Sequence, residues 1–122
     1  MKYVVNLDEI ESFTPPHHVN TQDKKLIDES LGAKNFALWY GEVEIGGGVD
    51  THSHEMEQAF YILEGEALFE IEGVEYQVKE NTVVFIPPNT KHKILNIGEK
   101  MLKILIVMAP QPKTLDVWKV EK

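Results

Sequence analysis

The residues best suited to chemistry are His52 and His54, which stand two positions apart and are followed by Gln58. In an extended strand, side chains two positions apart project from the same face, whereas in a helix they point about 200° apart. His52 and His54 can therefore reach one point in space, and Gln58 joins them if the backbone is extended or slightly bulged. Imidazole nitrogen is the commonest side-chain metal ligand, so this spacing predicts a metal site.

A second stretch of the chain supplies a third histidine. Val83–Ile86 has the character of a buried strand, Pro87-Pro88-Asn89 forms a turn, and His92 lies on the strand that follows. Together the two stretches resemble the signature motifs of the cupin superfamily of small β-barrels. The first motif is matched by Gly46, His52, His54, Gln58 and Gly65, with Gln58 where glutamate is usual. The second motif is matched by Asn81, Pro87, Asn89, His92 and Asn96, with Asn81 and Asn89 where glycine is usual.

This resemblance implies an all-β, single-domain protein with the double-stranded β-helix, or jelly-roll, barrel of the cupins. We expect residues 35–108 to form the core barrel, residues 1–34 an N-terminal strand and loop arm, and residues 109–122 a C-terminal arm. The predicted metal ligands are His52, His54, Gln58 and His92. Such ligands suit a divalent transition ion, namely Mn, Fe, Ni, Co or Zn. Small cupins commonly form dimers, so the resemblance also implies a homodimer.

Gln58 has a predicted electrostatic consequence. Three neutral imidazoles and a neutral amide leave the full charge on a divalent ion, whereas the usual glutamate offsets part of it. The ion is then a stronger Lewis acid and attracts an anionic ligand such as a carboxylate. Glu55 and Glu57 lie nearby, but their positions relative to His54 predict side chains that are solvated or that lie behind the metal ligands.

The overall composition narrows the class of partner. The chain has 122 residues, which is one ordinary domain, and carries 12 basic against 20 acidic residues, a net charge of −8. An acidic surface repels phosphate backbones, so no nucleic-acid partner is expected. There is no cysteine, no signal-peptide pattern and no membrane-spanning stretch, which predicts a cytoplasmic protein without a membrane partner.

The strand pattern supports a barrel because short apolar runs alternate with Gly and Pro turns. Residues 3–10 are expected to form a strand, and residues 24–31 either a short strand or one helical turn. His17 and His18 follow two prolines and are expected in a surface loop, with a ligand role as the alternative. The remaining strands are predicted at 35–45, 59–63, 67–71, 74–78, 83–86, 91–96 and 101–108, with one more at 114–120.

The catalytic residues are not determined by the sequence. Tyr40, Glu42 and Lys103 are candidates for an acid or base, each with an ordinary packing or surface role as the alternative. Strand alternation places Phe60 and Ile62 on the face of Gln58 and predicts an apolar pocket wall.

Three functional hypotheses remain open. The ligand set resembles that of small bacterial cupins, including proteins that open the ring of unsaturated uronates. The first hypothesis is therefore a metal-dependent enzyme with lyase or isomerase chemistry on a small carboxylate or sugar acid. The second is a ferrous dioxygenase, and the third is a non-catalytic module that binds a small anionic metabolite.

Overall fold

The computed structural model, which describes residues 2–112 and the backbone of Lys119–Val120, is a curled antiparallel sheet. The strands of these residues are β1 His18–Ile27, β2 Ala37–Ser53, β3 Glu57–Glu64, β4 Ala67–Ile71, β5 Val74–Val78, β6 Val83–Ile86, β7 His92–Asn96, β8 Leu102–Ala109 and β9 Lys119–Val120. Their order is β5-β4-β7-β2-β8-β3-β6, and β1 and β9 also pair with β2. The predicted all-β jelly-roll barrel is confirmed. None of the helices in these residues is long and apolar enough to cross a membrane.

The interior of the barrel follows from strand alternation, since every second side chain of a strand points to the same face. Phe60 and Ile62 are buried, as the sequence predicts, while Tyr61 between them remains 39% exposed. The same pattern on β8 buries Ile104 and Ile106. These side chains form one continuous apolar cluster, which supplies the rigid wall around the predicted site.

Strand β2 changes partner along its length and thereby connects the two halves of the barrel. Residues 37–43 pair with β8, and residues 48–52 pair with β7, while β1 runs along the other edge. The change occurs around the glycine run 46–48. Gly46 has a φ of 79°, and Gly48 packs so closely on β7 that a side chain there would overlap the carbonyl oxygen of Ile94. This close approach brings β2 against the strand that carries His92.

Replacement of Gly48 by alanine is expected to destabilise the fold by about 3 kcal/mol, at the upper end for overpacking, because the obstructing atoms are backbone. Urea unfolding measures the change. Gly46→Ala is the matched control, since nothing lies within 4 Å of its added carbon and only its positive φ opposes the substitution. Equal losses of stability in the two variants would contradict the close-packing argument.

The N-terminal region differs from its prediction. The expected strand at residues 3–10 is wrong, because Leu7–Glu9 form a 3-10 turn capped by the side chain of Asn6. Asparagine side chains favour such local bonds over a sheet. Residues 24–31 contain both predicted alternatives, since β1 ends at Ile27 and Glu29–Leu31 form a 3-10 turn. Of the predicted strand at 114–120, residues 119–120 are extended and residues 114–118 lie outside the described part.

Candidate metal centre

The structure brings the three sequence-predicted histidines together inside the barrel. His52 on β2 pairs directly with His92 on β7, and His54 follows immediately after β2. Their ring centroids lie 4.3 Å apart for His52 and His92, 5.4 Å for His52 and His54, and 5.1 Å for His54 and His92. One nitrogen of each ring lies within 4.8 Å of those of the other two. All three side chains are buried. This compact cluster has the donor set of a transition-metal site.

Backbone carbonyl groups determine how each imidazole is oriented. The Nδ1 atoms of His52, His54 and His92 lie 2.8, 2.8 and 2.9 Å from the carbonyl oxygens of Asp50, Met56 and Thr90. A carbonyl oxygen only accepts, so each Nδ1–H donates and each Nε2 carries a lone pair. Metal-binding histidines are held in this way by their second nitrogen.

The electrostatic state of the histidines also suits metal binding. Burial, assisted by the neighbouring imidazoles, lowers the pKa of His52 to about 3 and that of His92 to about 4. Burial lowers the pKa of His54 as well. The rings are therefore neutral at pH 7, which is the form that binds a metal. The Nε2 atom of His92 is buried and, among the described groups, has no hydrogen-bond partner. A lone pair enclosed in this manner fits a bound cation.

Gln58, at the start of β3, lies in the same cluster. Its Oε1 is 3.0 Å from Nε2 of His54. Since the Nδ1–H of His54 already donates to a carbonyl, both of these atoms are acceptors in the neutral ring. Two lone pairs at this distance are compatible when a cation accepts both, and otherwise the amide must turn to present its NH₂ group. The amide oxygen therefore lies beside the histidine cluster, and its role as a metal ligand stays a prediction.

A small apolar cavity adjoins the histidines. His52 and Gln58 line it together with Trp39 and Phe60, among other apolar side chains. Its volume is about 30 Å³, which is room for one or two water molecules. A ligand of several atoms must therefore displace side chains or extend out of the barrel, so the site favours small ligands.

Two residues of β1, His18 and Asp23, also line this cavity. His18 was predicted in a surface loop, and this is wrong. Its Nδ1 donates to the carbonyl oxygen of Pro16 at 2.8 Å, while His17 is exposed. Asp23 was not predicted at all, and it is only 3% exposed. Thr21 and Asp23 are buried and Gln22 is exposed, but all three are polar, so the sequence of this segment carries no pattern that marks Asp23 as an inward residue.

The sequence-derived acid–base candidates lie elsewhere. Tyr40 donates from its hydroxyl to Glu42 at 2.9 Å, and Lys103 lies 3.6 Å from the carboxylate of Glu64. Burial and this hydrogen bond raise the pKa of Tyr40 above its usual value. None of Tyr40, Glu42 and Lys103 lines the cavity, because along their strands they alternate with residues that do, namely Trp39, Val43 and Ile104.

The nearby carboxylates behave as expected. Glu55 and Glu57 are both exposed, as predicted for solvated side chains. Neither belongs to the group of side chains that converge on the histidine cluster.

The fold and the histidine cluster define a class of protein, and comparison with known proteins agrees. Residues 39–108 match the model of the cupin domain, so the chain belongs to the cupin family. It is 41% identical over 97 residues to an uncharacterised protein of Methanocaldococcus jannaschii, covering 74% of this chain and 77% of the relative. An oxalate-binding protein of Thermotoga maritima is 36% identical over 64 residues, or 52% of this chain and 53% of that protein.

A solved structure is similar over the whole chain. The polyketide cyclase RemF of Streptomyces resistomycificus superposes with a TM-score of 0.86 at 25% identity, covering all of this chain and 87% of that protein.

Proposed function

We propose that this cupin binds a divalent transition metal through His52, His54, His92 and Gln58 and acts on a small carboxylate or sugar acid. The observation that supports it best is the set of three imidazoles whose Nδ1 atoms are held by carbonyls and whose Nε2 lone pairs converge. Manganese, iron, nickel, cobalt and zinc are all compatible with nitrogen ligands and an amide oxygen. A bound ion would supply positive charge for an anionic ligand, and this chain's residues would enclose and orient that ligand.

The neutral ligand set supports an anionic ligand. Because no carboxylate belongs to the four proposed ligands, a divalent ion keeps its full charge and attracts a carboxylate. The apolar surroundings strengthen that attraction, since Trp39 and Phe60 in the cavity wall lower the local dielectric constant. The name of the oxalate-binding relative supports the same class of ligand and extends here as part of the proposal.

The likeness to RemF supports an enzyme, and we propose lyase or isomerase chemistry. The oxalate-binding relative favours a second candidate, a module that binds a small dicarboxylate without converting it.

Reconstitution separates these proposals. Purified protein would be loaded in turn with Mn, Fe, Co, Ni and Zn, and calorimetry would measure the binding of oxalate. Turnover of unsaturated uronates would then be followed with and without oxygen. Oxygen-independent turnover supports the enzyme, and oxalate binding without turnover of these sugar acids favours the binding module. Turnover that requires iron and oxygen would identify a dioxygenase, and the absence of bound metal would contradict the proposal.

Replacement of Gln58 by glutamate is expected to strengthen metal binding and weaken oxalate binding, by about 10-fold in each case. The added negative charge attracts the cation and reduces the charge left for the anion. The pKa of water on the metal should rise for the same reason. Competition with a chromophoric chelator measures the metal affinity, and calorimetry measures the oxalate affinity. An unchanged metal affinity together with an unchanged oxalate affinity would contradict the electrostatic role of Gln58.

The homodimer and the cytoplasmic location stay predictions. The outer face of strands β6, β3 and β8 carries the exposed apolar side chains Tyr61, Val83, Phe85 and Val107. An apolar face of this kind supports self-association, and we propose it as the surface on which two copies would meet.

A further inference from the structure

Asp23 is a buried acid whose position is rigidly determined. Its backbone N–H and carbonyl both bond to Phe13, at 2.7 and 2.9 Å, and it stands opposite Gly41 in the β1–β2 pairing. The side chain points into the barrel and lines the same cavity as His52 and Gln58. Its carboxyl group therefore shares an enclosed space with the proposed metal ligands.

The neighbouring strand leaves room for this carboxyl group. A side chain added at Gly41 would begin 3.0 Å from Oδ1 of Asp23 and 3.3 Å from Ile104. The absence of a side chain at Gly41 thus leaves the space beside the Asp23 carboxyl group open. A purely structural core position would be filled more stably by an apolar residue than by an acid.

No described residue donates a hydrogen bond to the Asp23 carboxyl group or forms an ion pair with it. The titratable groups around it are His18 on its own strand and His52 on β2. Lys25 of β1 places its ammonium group over the rings of Phe13 and Trp39. Strand β3 contributes Gln58 and Phe60 to the lining, while the side chains from β7 and β8 are apolar.

We propose that Asp23 is the acid–base residue of the cavity and exchanges a proton with a small oxyanion held at the histidine cluster. In the forward direction the O–H bond of Asp23 breaks, the proton passes to the ligand, and the carboxylate keeps the electron pair. In the reverse direction the carboxylate takes a proton from the ligand. No redox change and no further reactant are required. The proposal deepens the proposed function and depends on it for the bound ligand.

The acidity of the Asp23 carboxyl group suits this role, since burial raises its pKa to about 7. An acid of this strength both gives and accepts protons near neutral pH. An ordinary exposed aspartate is ionised under the same conditions.

Proton uptake on ligand binding tests the proposal. Oxalate would be titrated into zinc-loaded protein at pH 8 by calorimetry in HEPES and in Tris, whose ionisation enthalpies differ. Wild-type protein is expected to take up more protons per bound oxalate than Asp23→Asn, because the bound anion offsets the charge of the metal and raises the pKa of Asp23. Glu75→Gln, which removes an exposed carboxylate from β5, is the matched control and should behave like the wild type.

Each outcome bears on one of the two proposals. Oxalate binding with equal proton uptake in wild type and Asp23→Asn overturns the role of Asp23 alone. Bound zinc without oxalate binding overturns the proposed carboxylate ligand. If Asp23→Asn does not fold, ¹³C-carboxyl NMR of the labelled wild type gives the answer, since an aspartate titrating near pH 7 must shift upward on oxalate addition. The absence of such a resonance would refute the inference.

Discussion

His92→Ala is expected to abolish metal binding. One ring nitrogen of His92 lies within 4.8 Å of ring nitrogens of His52 and His54, and its Nε2 atom has no hydrogen-bond partner among the described groups. Loss of a direct ligand should lower the affinity by more than about 100-fold, since changes in groups that only orient the ligands cost 10- to 100-fold. Elemental analysis of protein purified in the presence of the metal should find about one ion per wild-type chain and almost none in the variant.

His17→Asn is the control for this experiment. His17 also carries an imidazole ring and directly precedes His18 in the chain, but its side chain is exposed. Its φ is 65°, a value that asparagine tolerates, so the substitution removes the ring without adding strain. Thermal unfolding gives an independent readout, because a metal that binds only the folded chain raises the melting temperature of the wild type and of His17→Asn. Equal metal content in His92→Ala and wild type would eliminate the proposed site.

Asp23→Asn is expected to change how stability depends on pH. Burial raises the pKa of Asp23 from 3.8 to about 7, so the folded chain retains a proton that the unfolded chain releases. The stability of the wild type should therefore fall as the pH rises through this interval and stay level above pH 7. Asparagine cannot ionise, and the variant should lack this loss, which amounts to a few kcal/mol and at most about 4.

Urea unfolding of metal-free protein between pH 5 and pH 8 measures the part of this loss that falls between pH 5 and pH 7, which is about 3 kcal/mol. The lowered pKa values of His52 and His92 act in the opposite direction, since their contribution to stability is lost as the pH falls below about 6.5. That contribution is common to both proteins and cancels in their difference. Any change in the free energy of unfolding from burying the asparagine amide is constant, and a constant does not alter how that free energy depends on pH. Parallel stability curves for wild type and Asp23→Asn would show that Asp23 is ionised at neutral pH.

Local patterns in the sequence were sufficient for the fold and for the main cluster of the site. His52 and His54 lie on one face because strand side chains repeat every two residues, and His92 follows a recognisable turn. The shared face of His52 and His54 depends only on neighbouring residues, whereas the convergence of His92 on them was implied by the resemblance to the cupins. The same alternation correctly placed Phe60 and Ile62 in the interior.

The positions of Tyr40 and Glu42 could not be derived from the same pattern. The rule that alternate side chains share a face holds only along an uninterrupted strand. In β2 the rule fails between Val49 and His52, because the pairing with β7 shifts register there. Odd-numbered Trp39 and Val43 therefore point inward in the first part of β2, whereas even-numbered His52 points inward in the last part. Tyr40 and Glu42 alternate with Trp39 and Val43 and therefore lie on the face opposite the cavity.

The composition of the chain by itself determined an acidic, cysteine-free domain, and the two motifs determined a cupin barrel with three histidines at its centre. Only the tertiary structure decided that His18 and Asp23 line the cavity beside these histidines. Both lie in a polar segment whose strand forms because β2 offers it an edge to pair with. Such pairing depends on contacts between distant parts of the chain, so no local pattern records it.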